Sequence, residues 1–97
     1  MDLLTDDQIA ERLAAVPGWD RQGDSIVHVA TLADFRAAML FAGAVAYLAE
    51  AANHHPDIAI GWNKVTLTLS THSAGGLTGK DFALAGQIGR LPELPGR

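Results

Sequence analysis

The chain has no cysteine. A disulfide framework and thiolate metal ligands are therefore excluded, although the compartment stays open on that ground. Basic residues are few: seven Lys and Arg against eleven Asp and Glu give a net charge of −4, and the cations are scattered singly. Nucleic acids are held by basic stripes that displace counterions from phosphates, so direct DNA or RNA binding is not expected. Long apolar runs are lacking too. The stretch Ala37–Ala49 has 13 residues, where a bilayer span needs about 20, so no membrane role is expected. The opening Met1-Asp2-Leu3-Leu4-Thr5-Asp6-Asp7 is acidic and has neither the basic start nor the apolar core of a secretory signal. A cytoplasmic location is the default expectation. Gly75-Gly76-Leu77-Thr78-Gly79-Lys80 is glycine-rich but lacks phosphate-loop spacing.

The 97 residues suffice for a single domain, expected over residues 1–97, with one core. Thr5-x-x-Gln8 is a capping box, and Ile9, Ala10, Leu13 and Ala14 follow at helical spacing, which predicts a first helix over 6–15 ended by Pro17-Gly18. Trp19-Asp20-Arg21 and Ser25–Ala30 flank a Gln22-Gly23-Asp24 turn and read as a hairpin. The main helix is expected over 31–53. Its apolar residues fall in two stripes: Phe35, Ala38, Met39, Ala42, Val45, Ala46 and Ala49 on one side, and Leu40, Phe41, Ala44, Tyr47, Leu48 and Ala51 on the other. A surface helix carries a polar face; here one stripe suits the domain's own sheet and the second suits a subunit interface. Pro56 ends the helix.

After 57–61 comes the clearest strand, with Val65, Leu67, Leu69 and Thr71 alternating against Lys64, Thr66, Thr68 and Ser70. Thr78-x-x-Asp81 opens a last helix carrying Phe82, Ala85 and Ile88, and residues 91–97 read as a frayed tail. The expected fold is α+β: a four-stranded antiparallel sheet with helices packed on one face, in the order α-β-β-α-β-β-α.

Chemistry concentrates at Asn53-His54-His55-Pro56, with His72 beyond it, so three of the four histidines could share a pocket. Histidine both accepts and donates a proton near neutral pH. Glu50 precedes His54 by one helical turn and is placed to orient an imidazole. Adjacent residues point in different directions, so His54 and His55 are not expected to do identical jobs. A metal site built from His54, His55, His72 and Glu50 is disfavoured, because vicinal histidines rarely aim at one ion and no His-x3-His pair is present.

Written in full, the pattern is Glu50-x3-His54-His55-Pro56-x5-Trp62-x9-His72-x8-Asp81. It resembles the signature of the pterin-4a-carbinolamine dehydratases at every defined position. Gly18-Trp19, Asp34-Phe35, Leu69-Ser70-Thr71-His72 and Gly76-Leu77-Thr78-x-x-Asp81-x-x-Leu84-Ala85 resemble the same family. The resemblance implies dehydration of a 4a-hydroxytetrahydropterin to the quinonoid dihydropterin, recycling the pterin of aromatic amino-acid hydroxylases. The pterin is then the substrate, with no further cofactor and no metal, and a hydroxylase is a candidate partner. His54, His55 and His72 are the expected catalytic residues; Glu50, Pro56, Thr71, Ser73, Ala74 and Asp81 are expected around the substrate. A homodimer or homotetramer is implied as well. The acid and the base among the histidines stay unassigned.

Structural readings compete at several positions. Asp81 could serve only as the partner of Thr78 in a capping arrangement, and Glu50 could be a solvated helix charge. Trp19 suits packing, Trp62 a core or pocket wall, and His28 a surface position. The competing function is a non-catalytic binding, assembly or coactivator module on the same fold.

Overall fold

A computed structural model gives the structure, described over residues 2–91. Four strands form one antiparallel sheet in the order β1-β2-β4-β3: β1 Asp20–Gln22, β2 Ser25–Thr31, β3 Asp57–Gly61 and β4 Lys64–Leu69. Three helices accompany it, α1 Asp6–Leu13, α2 Phe35–Ala52 and α3 Gly79–Gly89. Alternation in β4 sets the layering. Val65, Leu67 and Leu69 are fully buried, and their cross-strand partners Ala30, His28 and Ile26 on β2 share that face. Each leucine here contributes on the order of 2 kcal/mol by burial. Core residues Ile9, Phe41, Val45, Phe82, Leu84 and Ile88 come from the three helices and pack on this face. On the other face, Val29, Ala59, Thr66 and Thr68 are half-buried or exposed.

The register of α2 differs from the expected stripes. Its buried residues are Ala37, Ala38, Phe41, Ala42, Val45 and Ala49, while Phe35, Met39, Leu40 and Tyr47 are exposed. The helix is apolar all round, so periodicity alone does not fix its rotation. Alanines line most of the buried face and let the helix approach the sheet closely, and larger side chains are left outside. The helix also begins later than expected, because Thr31 completes β2 opposite Lys64 and the Asp34 carboxylate caps Ala37 N–H at 2.8 Å.

Trp19 is buried as expected for a packing residue, and His28 is not a free surface group. The two rings stack with centroids 5.3 Å apart, and His28 Nδ1 lies 2.7 Å from the Gly18 carbonyl. Its pairing with Leu67 puts His28 on the covered face. Trp62 is not in the core: it sits exposed in the β3–β4 turn with a φ of 46°. The expected tail is described only at Leu91; residues 92–97 lie outside the described residues.

Candidate active site

The site starts from the way α2 ends. Asn53 adopts the left-handed conformation, φ 50° and ψ 45°, which Asn tolerates better than most non-glycine residues. Asn53 N–H donates to the Glu50 carbonyl at 3.1 Å, and His54 N–H donates back to Ala49 at 3.0 Å. These two bonds define a Schellman motif. The chain reverses at Asn53, before Pro56 is reached. Because of that reversal, His54 turns into the protein and His55 turns out.

His54 is 9 % exposed. Its Nε2 lies 2.6 Å from Asp81 Oδ1, and Asp81 is completely buried in the first turn of α3. The other carboxylate oxygen accepts from Thr71 Oγ1 at 2.8 Å and from Thr78 N–H at 2.9 Å. Since the Thr71 hydroxyl donates to Asp81, Thr78 must donate its own across the 2.8 Å contact with Thr71 Oγ1. Thr78 Oγ1 in turn accepts from Lys80 N–H at 3.3 Å. No buried side-chain nitrogen or oxygen among the described residues lacks a partner. Such completeness is what allows a polar cluster to sit in a core.

His55 is held on the solvent side. Its Nε2 lies 2.5 Å from Glu50 Oε2, with side-chain exposures of 56 % and 77 %. Glu50 thus orients an imidazole, but the ring is that of His55 rather than His54, because the left-handed turn at Asn53 breaks the helical spacing. His72 opens a short 3₁₀ turn, His72–Ala74, directly after β4, and its ring is exposed.

The three histidines meet at one cleft of about 330 Å³, lined by Asn53, His54, His55, Ser70, Thr71, His72, Ser73 and Lys80. The expected residues His54, His55, Thr71, His72 and Ser73 are therefore together. Asp81 lies behind the cleft as a buried support, with both its oxygens occupied by protein donors and none of it reaching solvent. Glu50, Pro56 and Ala74 do not line the cleft; Glu50 acts on it through His55, and Ala74 N–H is bonded to the Thr71 carbonyl. Sequence reasoning missed Asn53, Ser70 and Lys80 as walls. Their positions beside His54, Thr71 and Asp81 were the available signal. The arrangement presents three imidazoles to one open cavity, two of them each held by its own carboxylate, which suits proton exchange with a bound heterocycle.

Comparison with known proteins covers the same span. A family model described as Pterin 4 alpha carbinolamine dehydratase matches residues 2–91. A Roseiflexus castenholzii protein that carries the name of a pterin-4-alpha-carbinolamine dehydratase is 58% identical over 89 residues, 92% of this chain and 96% of its own length. A Thermomicrobium roseum protein with the same name is 50% identical over 91 residues, 94% of this chain and 98% of its own. The crystal structure of a transcriptional coactivator/pterin dehydratase from Brucella melitensis superimposes with a TM-score of 0.86 at 32% identity, covering 90% of this chain and 95% of that one. The matched span runs from the first capping box through the turn bearing His54 to the end of the Asp81 helix, and on that ground the chain belongs to the pterin 4 alpha carbinolamine dehydratase family.

Proposed function

We propose that the chain dehydrates a 4a-hydroxytetrahydropterin to the quinonoid dihydropterin and water by histidine acid–base catalysis. The observation that carries this reading is the convergence of His54, His55 and His72 on one cleft, with His54 braced by buried Asp81. Breaking the C4a–O bond requires a proton for the departing hydroxide, which leaves as water. The adjacent ring nitrogen must lose its proton so that its electron pair forms the new C=N bond. Atoms and charge balance without an oxidant, a reductant or a nucleophile, so the pterin is the substrate and the reading calls for no separate cofactor. His54 and His72 exchange these two protons, while His55 binds the substrate or assists protonation. Ser73 and the Thr71 segment hold the ring. Positioned acid–base catalysis contributes about 10²- to 10⁴-fold, enough to outpace spontaneous loss of water from a carbinolamine.

The reading places the protein beside a pterin-dependent aromatic amino-acid hydroxylase, in the cytoplasm, as a self-associating subunit. The exposed Phe35, Met39, Leu40 and Tyr47 of α2 support self-association. A binding or assembly module would have no need of a fully satisfied carboxylate buried behind a cleft histidine, and this favours the enzyme.

The test is dehydration of freshly generated 4a-hydroxytetrahydropterin, followed by ultraviolet absorbance against the spontaneous rate. Acceleration by the wild type, lost when His54→Ala and His72→Ala are combined, is the expected result. A folded wild type that leaves the spontaneous rate unchanged sinks the proposal.

A further inference from the structure

We infer that Asp81 is a positioning residue that fixes the tautomer of His54, placing the proton on Nε2 and presenting Nδ1 to the cleft as the nitrogen that exchanges protons with the substrate. The inference rests on the catalytic reading above for its consequence, but its structural content is independent of it.

The Asp81 side chain settles the matter by counting donors. Oδ2 receives Thr78 N–H at 2.9 Å, a backbone group that can only donate, and the Thr71 hydroxyl at 2.8 Å. Oδ1 faces His54 Nε2 at 2.6 Å. One proton must lie between Oδ1 and Nε2, and an imidazole is the stronger base of the two in model compounds. The proton belongs to Nε2, and Asp81 is the carboxylate. A neutral His54 then carries its lone pair on Nδ1. Among the described residues that atom has no hydrogen-bond partner, and no buried side-chain nitrogen or oxygen among them lacks one. Nδ1 is therefore reachable from the cleft that His54 lines. The Thr78–Thr71 hydroxyl pair, 2.8 Å apart, holds the carboxylate from behind, so that it cannot rotate away from the ring.

Asp81→Asn should reverse the assignment. The amide oxygen must occupy the Oδ2 position, where two donors converge, so the amide NH₂ faces His54. A donor there requires the lone pair on Nε2, which moves the ring proton to Nδ1 and leaves the cleft nitrogen unable to accept. The same logic applies to the serine-protease aspartate, where the corresponding replacement imposes the wrong histidine tautomer.

The experiment is two-bond proton–nitrogen correlation spectroscopy of the histidine rings, at a pH where His54 is neutral, on the wild type and on Asp81→Asn. Expected are an Nε2–H ring in the wild type and an Nδ1–H ring in the variant, together with a fall in kcat of about 10²-fold or more and KM changed much less. A wild-type ring protonated at Nδ1 overturns the inference, as does a folded variant that keeps the Nε2–H ring. The wild-type spectrum decides the assignment even if Asp81→Asn fails to fold. An Nε2–H wild-type ring in a protein without dehydratase activity supports the tautomer assignment and removes the catalytic reading, so the two failures are distinguishable.

Discussion

His54 and His55 share a peptide bond, yet their rings answer to carboxylates on opposite sides of the protein's surface. His54 Nε2 lies 2.6 Å from Asp81 Oδ1, and their side chains are 10% and 0% exposed. His55 Nε2 lies 2.5 Å from Glu50 Oε2, where both side chains are mostly in solvent. An exposed pair is screened by water and salt, whereas a buried group left without its partner loses hydration it cannot recover. Chemically similar substitutions at the two carboxylates therefore have unequal consequences.

Glu50→Gln is expected to change unfolding stability by less than about 1 kcal/mol, since exposed pairs contribute little. The amide can still hold the His55 ring by one hydrogen bond. Urea unfolding of the variant checks this, and a larger loss would show that the pair is less screened than its exposure implies.

Thr71 sits within the buried network, so its replacement separates hydroxyl from shape. Thr71→Val removes a donor from Asp81 and an acceptor from Thr78, and should destabilise by about 1–3 kcal/mol, the usual cost of stranding buried polar groups. Thr71→Ser keeps the hydroxyl and should lose clearly less. Equal losses in chemical denaturation would mean that the methyl group, not the hydrogen bond, matters at this position.

These contrasts also mark what the sequence could reveal. The alternation from Val65 to Leu69 and the two capping boxes are local, and local rules recover them: β4 is buried on alternate residues, and Thr5–Gln8 and Thr78–Asp81 both form. The histidine cluster was legible because its spacing carries a strand and a helix end to one place. The partner of Glu50 was not, since the left-handed turn at Asn53 changes which imidazole it meets. Burial of Asp81 was hidden for another reason: a capping carboxylate follows the same pattern whether it faces solvent or the core. The rotation of α2 was equally hidden, because a helix apolar on every side has no contrast from which to read a face.

Asn53 offers a direct test of the turn that aims His54. Asn53→Gly should preserve stability and geometry, because glycine adopts φ near 50° without a side-chain clash. Asn53→Ala should cost up to about 1 kcal/mol, because alanine lacks the short polar side chain whose local hydrogen bonding lets asparagine tolerate the left-handed conformation. Because His54 N–H and Asn53 N–H both close this turn, the alanine variant should also lower kcat. Thermal unfolding and the dehydration assay measure the two effects separately. An alanine variant as stable as wild type would show that the turn is not fixed by residue 53.

The exposed side of α2 supplies the last test. Met39 and Tyr47 are 47% and 76% exposed, and Phe35 and Leu40 about half exposed, along a helix whose other side already packs on the sheet. Apolar side chains collected on one element favour association once a partner covers them. Sedimentation velocity at micromolar concentration should find a dimer or tetramer. Met39→Asp combined with Tyr47→Asp should shift it toward monomer, because two charges would be buried without partners in any interface using that face. The same changes should leave the isolated subunit folded, since neither side chain belongs to its core. A monomeric wild type would remove self-association as the use of this face; an oligomer insensitive to both charges would move the interface elsewhere, with the unpaired edge of β3 as the next surface to mutate.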